Sequence, residues 1–163
     1  EKCKSLLADR FVGKYACYAT DGLKGVTEKP DEVFIAGMGG KEIISVLSAL
    51  DYRSERLVLQ PMKSAKELRE YLLKKGYGIE KDFMFFSLDK HYDVIVAVSE
   101  LKTKPYTDDE LKFGRDNLNG NNDFQRFLDI RISVIEKALK TAEKQETKQN
   151  LQSELNALKR LKL

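Results

Sequence analysis

Residues 31–40 read Asp31-Glu32-Val33-Phe34-Ile35-Ala36-Gly37-Met38-Gly39-Gly40. The apolar run Val33, Phe34, Ile35, Ala36 breaks into glycines, and a helical pattern begins at once near Lys41. This order predicts a buried strand, a tight turn and a helix N-terminus. In open α/β sheets ligands bind at the carboxyl ends of strands. Glycine lets the backbone approach a ligand there, because no Cβ stands in the way. A tight connection with no ligand fits these ten residues equally well, so the neighbouring segments decide between the two.

Downstream, Ile43, Ile44, Leu47 and Leu50 share one face of a helix over residues 41–50. Residues 56–60 (Arg-Leu-Val-Leu-Gln) form the next strand, which Pro61 stops. Ser64 is expected to cap a helix running to Lys75, with Glu67 completing a capping box and Leu68 and Leu72 facing inward. Gly76 ends that helix. Residues 83–88 and 92–99 then follow as strands around Asp89-Lys90-His91, a connection of hairpin length. Upstream, residues 14–19 are a short strand candidate ending in Thr20-Asp21-Gly22-Leu23. Residues 1–10 read as the second half of a helix, with Leu6, Leu7 and Phe11 on its apolar face and no start signal before it. The expectation is therefore that the chain's beginning is missing.

The alternation predicts an α/β fold: a mainly parallel sheet whose last strands pair antiparallel. Beyond Ser99 the pattern changes. Asn117-Leu118-Asn119-Gly120-Asn121-Asn122 reads as a loop, and no Gly or Pro follows Asp123. Phe124, Leu128, Ile132, Ile135, Leu139 and Ala142 recur at spacings of three and four, as do Leu151, Leu155, Leu158 and Leu161. Two amphipathic helices folded back as an antiparallel, coiled-coil-like hairpin account for this, with the turn inside the polar stretch 143–150. One long helix pairing with another chain is the alternative. The division expected is an α/β unit over 1–102 and a helical unit over 103–163.

Composition narrows the chemistry. Cys3 and Cys17 are the two cysteines and His91 the single histidine, so a zinc site or a His-based nucleophile relay has almost no ligands or bases to draw on. Reduced thiols in a cytosolic protein are the expected state. No run approaches the ~20 apolar residues of a membrane span. A net charge of +3 is only mildly basic, so any nucleic-acid surface must come from local clustering.

Three consecutive strand ends carry polar or Gly-rich residues: Asp21-Gly22, then Ala36, Gly37, Met38 and Gly39, then Gln60-Pro61. A carboxylate accepts from an exocyclic amine and glycine amides face a ligand, so these ends suit a cofactor with an adenine or amino-acid moiety. Asp21 also fits a plain turn aspartate, and Gln60 also fits a residue that ties down its turn. Lys63, Lys66, Arg69, Lys74 and Lys75 oppose only Glu67 and Glu70 on the next helix, and the last helices are similarly basic. Such charges form a solvated face or meet phosphates. Tyr77, Tyr92 and Tyr106 offer rings that stack a base or fill a core.

Asp21-Gly22-Leu23, Ile35-Ala36-Gly37-Met38-Gly39-Gly40, Arg56-Leu57-Val58-Leu59-Gln60-Pro61 with Leu68-Arg69 and Leu72, and Tyr92-Asp93-Val94-Ile95 stand in an order that resembles the bacterial tRNA (adenine-22 N1)-methyltransferase family. Phe113-Gly114 and the helical tail resemble its C-terminal part. The resemblance implies a partial class I methyltransferase, Rossmann-like, with S-adenosylmethionine as cofactor and tRNA as partner. It places Asp21 and Gly22 near the adenosine, and Ala36, Gly37, Met38 and Gly39 where related enzymes carry an Asn-Pro-Pro-Tyr type motif. Gln60, Pro61, Lys63, Lys66 and Arg69 then fall on the RNA side, with the basic side chains on phosphates. The family's first strand, its cofactor loop with an Asp-His pair and its ribose-holding acid belong before Glu1. This implies an inactive fragment of the enzyme, and no catalytic residue is assigned. Two alternatives are an interaction module pairing through its C-terminal helices and another nucleotide-cofactor enzyme of Rossmann-like fold.

Overall fold

The computed structural model describes residues 16–162. The helix expected over residues 1–10 and the first two positions of the strand expected over 14–19 lie outside these. Residues 16–19 are not in a strand.

Four strands form one mixed sheet in the order β1-β2-β4-β3. They are β1 (Glu32–Met38), β2 (Arg56–Pro61), β3 (Gly78–Ser87) and β4 (Lys90–Val98). β1 and β2 are parallel, as a helical crossover requires, while β4 runs antiparallel to both β2 and β3. α1 (Gly40–Ser48) and α2 (Ala65–Lys74) are the crossover helices. Strand alternation sends Val33, Leu57, Leu59, Ile95 and Ala97 to one face, where Ile43, Leu47, Leu68 and Leu72 of the helices bury them.

The ends of α2 separate expectation from outcome. Gly76 adopts φ 79°, and the Gly76 and Tyr77 amides donate to the Leu73 and Leu72 carbonyls, both at 3.0 Å. This paired closure satisfies the last carbonyls, and only glycine takes that backbone shape without strain. The capping box at the other end does not form. Ser64 sits in the left-handed region at φ 56° and its side chain makes no cap bond, because the loop before α2 is committed to bonds with the loop after β1.

The β3–β4 hairpin turns one residue earlier than expected. Ser87 pairs with Lys90, leaving Leu88 (φ 47°) and Asp89 (φ 59°) as a two-residue turn with both central residues left-handed. Asn-Gly suits that turn, whereas leucine is strained in it. Leu88→Asn with Asp89→Gly is therefore expected to raise the unfolding free energy by about 1–2 kcal/mol. A urea titration giving an unchanged midpoint would refute this.

Four helices follow: α3 (Asp108–Phe113), α4 (Arg115–Leu118), α5 (Asn122–Thr141) and α6 (Gln145–Leu161). Thr107 and Glu110 make a reciprocal capping box on α3. α5 and α6 lie antiparallel, joined by Arg131–Glu154, Glu136–Lys159 and Asp129–Lys162 pairs, with the turn at residues 142–144 rather than deeper in the polar stretch. The chain here breaks into two helices rather than the one long helix pairing with another chain that was the alternative. A second core of Phe113, Phe124, Leu128, Ile135, Leu155 and Leu158 packs against Met84, so this helical part covers the outer half of the hairpin.

The predicted Asn-rich loop 117–122 is instead a cover for the sheet's edge. The outward amides of β3 donate to helix-borne side chains: Asp82 to Asp116 at 2.8 Å, Met84 to Asn117 at 2.8 Å and Phe86 to Asp123 at 3.1 Å. Asn121 returns a bond to the Met84 carbonyl at 2.9 Å and caps α5. Short polar side chains take the place of a fifth strand, which satisfies the backbone and blocks edge pairing.

Candidate functional site

The loops after β1 and β2 are laced together. The Met62 amide donates to the Met38 carbonyl and the Gly40 amide to the Lys63 carbonyl, each at 2.8 Å. The Gln60 side chain crosses between the strands, its Oε1 accepting from the Gly37 amide at 2.9 Å. Gln60 therefore ties down the neighbouring turn, one of the two roles its position allowed. Gly40 is buried, and a Cβ there would stand 2.3 Å from the Ser64 carbonyl oxygen. Only glycine lets the two backbones meet this closely.

Ala36, Gly37 and Met38 face outward at this strand end. Gly37 holds φ 76°, and nothing lies within 4 Å of where its Cβ would be. A left-handed glycine with free space over it, braced by a side chain from the next strand, leaves room for a ligand to approach the backbone. Glu42 in the first turn of α1 reaches Lys63 at 3.5 Å. Its own backbone amide, with Lys63 adding, holds its carboxyl below the usual carboxylate range.

Asp21 and Gly22 are not brought to these glycines. Gly22 rests on Val46, six residues along α1 from its start, or about 9 Å along the axis. Asp21 is exposed and bonded to Lys24 at 2.6 Å, a contact that lowers its pKa. Met38, Gly39, Gln60 and Lys63 do come together, and Lys63 and Lys66 are exposed, Lys66 reaching Glu70 at 3.8 Å.

Two expected substrate contacts are corrected. Pro61 is buried, so it closes β2 and presents no surface. Arg69 is 0% exposed and is not a phosphate contact. Its Nε lies 2.9 Å from both carboxylate oxygens of Asp82, a second nitrogen reaches Asp93 at 3.3 Å, and a third donates to the Leu111 carbonyl at 3.1 Å. One guanidinium thus joins α2, β3, β4 and α3. Burial pushes the Asp93 carboxyl up, with Arg69 opposing and the like charge of Asp82 adding. The signal missed in the sequence was Asp82 and Asp93 inside strands, where unpaired aspartate is disfavoured and a buried cation is required.

The chain is similar to known proteins over most of its length. A family model described as tRNA (adenine(22)-N(1))-methyltransferase matches residues 3–162. A Bacillus subtilis protein of that name is 37% identical over 81 residues, a stretch covering 47% of this chain and 34% of that protein. The structure of a putative tRNA (m1A22) methyltransferase from Streptococcus pneumoniae in complex with S-adenosyl-L-methionine superposes with TM-score 0.80 at 24% identity, over 98% of this chain and 73% of that one. That of M. capricolum TrmK with S-adenosyl-homocysteine gives TM-score 0.76 at 22% identity, over 88% of this chain and 66% of that one. A Streptococcus agalactiae protein of the NADB-Rossmann superfamily gives TM-score 0.69 at 26% identity, over 80% and 59%. The chain thus spans about a third of the curated relative it matches and about two thirds of the M. capricolum chain. The four-stranded α/β part has the Rossmann-like methyltransferase fold.

Proposed function

Because the chain belongs to the tRNA (adenine(22)-N(1))-methyltransferase family, we propose that it serves methyl transfer from S-adenosylmethionine to N1 of an adenine in tRNA. The observation carrying this reading is the open, left-handed Gly37 at the end of β1, braced by Gln60. The residues fit the cofactor: Ala36, Gly37, Met38 and Gly39 offer backbone groups and unfilled space, while Asp21 and Gly22 lie apart from these glycines, against Val46 further along α1. S-adenosylmethionine supplies an electrophilic methyl group when bound.

The chain's own task is positional. N1 of adenine has a lone pair and no proton to lose, so the site needs no general base for the transfer. Holding the nucleophile in line with the methyl carbon supplies much of the rate. Laced loops serve this end, since a turn fixed by three cross-loop hydrogen bonds keeps its shape when the base arrives. Lys63 and Lys66 are assigned to phosphates beside the target adenine, and replacing both by alanine is expected to lower the log–log salt slope of tRNA binding by nearly two.

The decisive comparison is Gly37→Val against Gly25→Val in the full encoded protein. Gly25 has φ 75° and equally open surroundings, away from the strand end. Both variants bear the same backbone strain. Only Gly37→Val is expected to weaken S-adenosylmethionine binding, by about 1–3 kcal/mol in titration calorimetry. Equal affinities would remove this turn from the cofactor site.

A further inference from the structure

β4 pairs with β2 as far as Ile95 opposite Leu59, and the hairpin then continues beyond the end of β2. Tyr92 lies three residues past that level, about 10 Å further along the strand. The hairpin's outer half is therefore an arm standing over the edge where Gly37 and Gln60 lie. One face of the arm is closed by α5 and α6 through Met84, Phe86 and His91. Alternation puts Phe83, Phe85, Tyr92 and Val94 on the other face, together with Ala36 and Gln60.

On that face Phe85 and Tyr92 are cross-strand partners with ring centroids 5.5 Å apart and planes inclined by 23°. Phe85 is 37% exposed, an unusual place for a phenylalanine at a ligand edge. The Tyr92 hydroxyl makes no hydrogen bond to any described residue. Lys90, next along the same face, is exposed and has no ion-pair partner among the described residues. A flat pair of rings, a free hydroxyl at its rim and an unpaired cation beside it match one ligand chemistry: a planar base with polar edges, attached to a phosphate.

We propose that Phe85 and Tyr92 form a stacking platform for an unpaired base of the RNA next to the reactive adenine, with Lys90 on its phosphate. This rests on the tRNA reading above and adds where and how the RNA is gripped. The arm's tight turn and helix-covered back keep the rings fixed before RNA arrives, so little ordering is lost on binding.

The test uses the full encoded protein with unmodified tRNA, measuring S-adenosylmethionine affinity, tRNA affinity and steady-state methylation. Tyr92→Leu and Phe85→Leu keep apolar bulk but remove π-surface, and each is expected to raise the KM for tRNA about 5- to 100-fold. Cofactor affinity and the melting temperature stay near the parent's. Tyr92→Phe keeps the stack and should lose less than Tyr92→Leu. Lys90→Gln, a surface change that leaves the fold alone, should lower the salt slope by about one. A parent protein that methylates no tRNA overturns the functional reading. A parent that does so while both leucine variants and Lys90→Gln keep its KM and salt slope overturns the platform. So would a parent dimer that dissociates in Phe85→Leu, because the face would then bury a second copy.

Discussion

Arg69→Ala is expected to lower the unfolding free energy by about 3–5 kcal/mol, because it strands a buried carboxylate at Asp82 and a half-buried one at Asp93. Arg69→Lys should recover little of this, since an ammonium cannot serve both oxygens of Asp82, the oxygen of Asp93 and the Leu111 carbonyl at once. Burial raises both carboxyls, but the two acids should differ in cost, because Asp82 offers both oxygens to the Arg69 Nε at 2.9 Å and Asp93 a single oxygen at 3.3 Å. Asp82→Asn removes the charge that balances Arg69 and should destabilise strongly. Asp93→Asn removes a surplus negative charge and should cost little at neutral pH. The sign follows from its raised pKa in the folded protein. Between the unfolded and folded values the native state holds a proton that the unfolded state has lost. Stability from this group is therefore full below the ordinary carboxylate range and is lost as pH rises through the raised value. Urea midpoints of Asp93→Asn relative to the parent should climb as pH rises through that window. A flat difference across the titration would contradict this account of the cluster.

Gly40→Ala is expected to be the most damaging single methyl group near the site. The new Cβ would meet the Ser64 carbonyl oxygen at 2.3 Å and its carbon at 2.9 Å, both backbone atoms that cannot swing away. Relief requires the two loops to part, breaking the Gly40–Lys63 bond and straining the neighbouring Met62–Met38 bond. Overpacking of this kind costs about 1–3 kcal/mol, and more where backbone must move. S-adenosylmethionine affinity should fall tenfold or more, because the Gly37 turn hangs from the same lacing. Denaturation and calorimetry that both match the parent would show that the loops separate freely.

Much of this arrangement was legible in the sequence, for identifiable reasons. Apolar runs ending in Gly37 and Pro61, with helical spacing after each, mark a parallel strand pair because a crossover needs a helix. Gly76 announces the end of α2 because few other residues tolerate its backbone shape. The β3–β4 hairpin was readable too, although its turn lies at Leu88-Asp89, where leucine contradicts local preference and the strand register decides. Other features depend on contacts distant in sequence. Ser64 looked like a cap, but the left-handed shape imposed by its loop turns its hydroxyl away. Arg69 stands in a run of basic residues and reads as a phosphate contact, although it lies beside Leu68 and Leu72 on the buried side of the helix. Nothing local reveals that residues 115–123 would cover a strand over thirty residues earlier, because a hydrogen bond from a side chain to a remote amide leaves no periodicity.

That cover also sets a timetable. Phe86 and the Asp123 side chain that satisfies its amide are 37 residues apart. Synthesis at about 5–20 residues per second leaves about 2–7 s between the emergence of β3 and that of its cover. Through this interval a nascent chain displays an open row of amides beside an aromatic-rich hairpin, the kind of surface to which another strand adds. The vulnerable moment of this molecule thus comes during its birth, and crowded ribosomes translating it together would meet the hazard before any finished copy does.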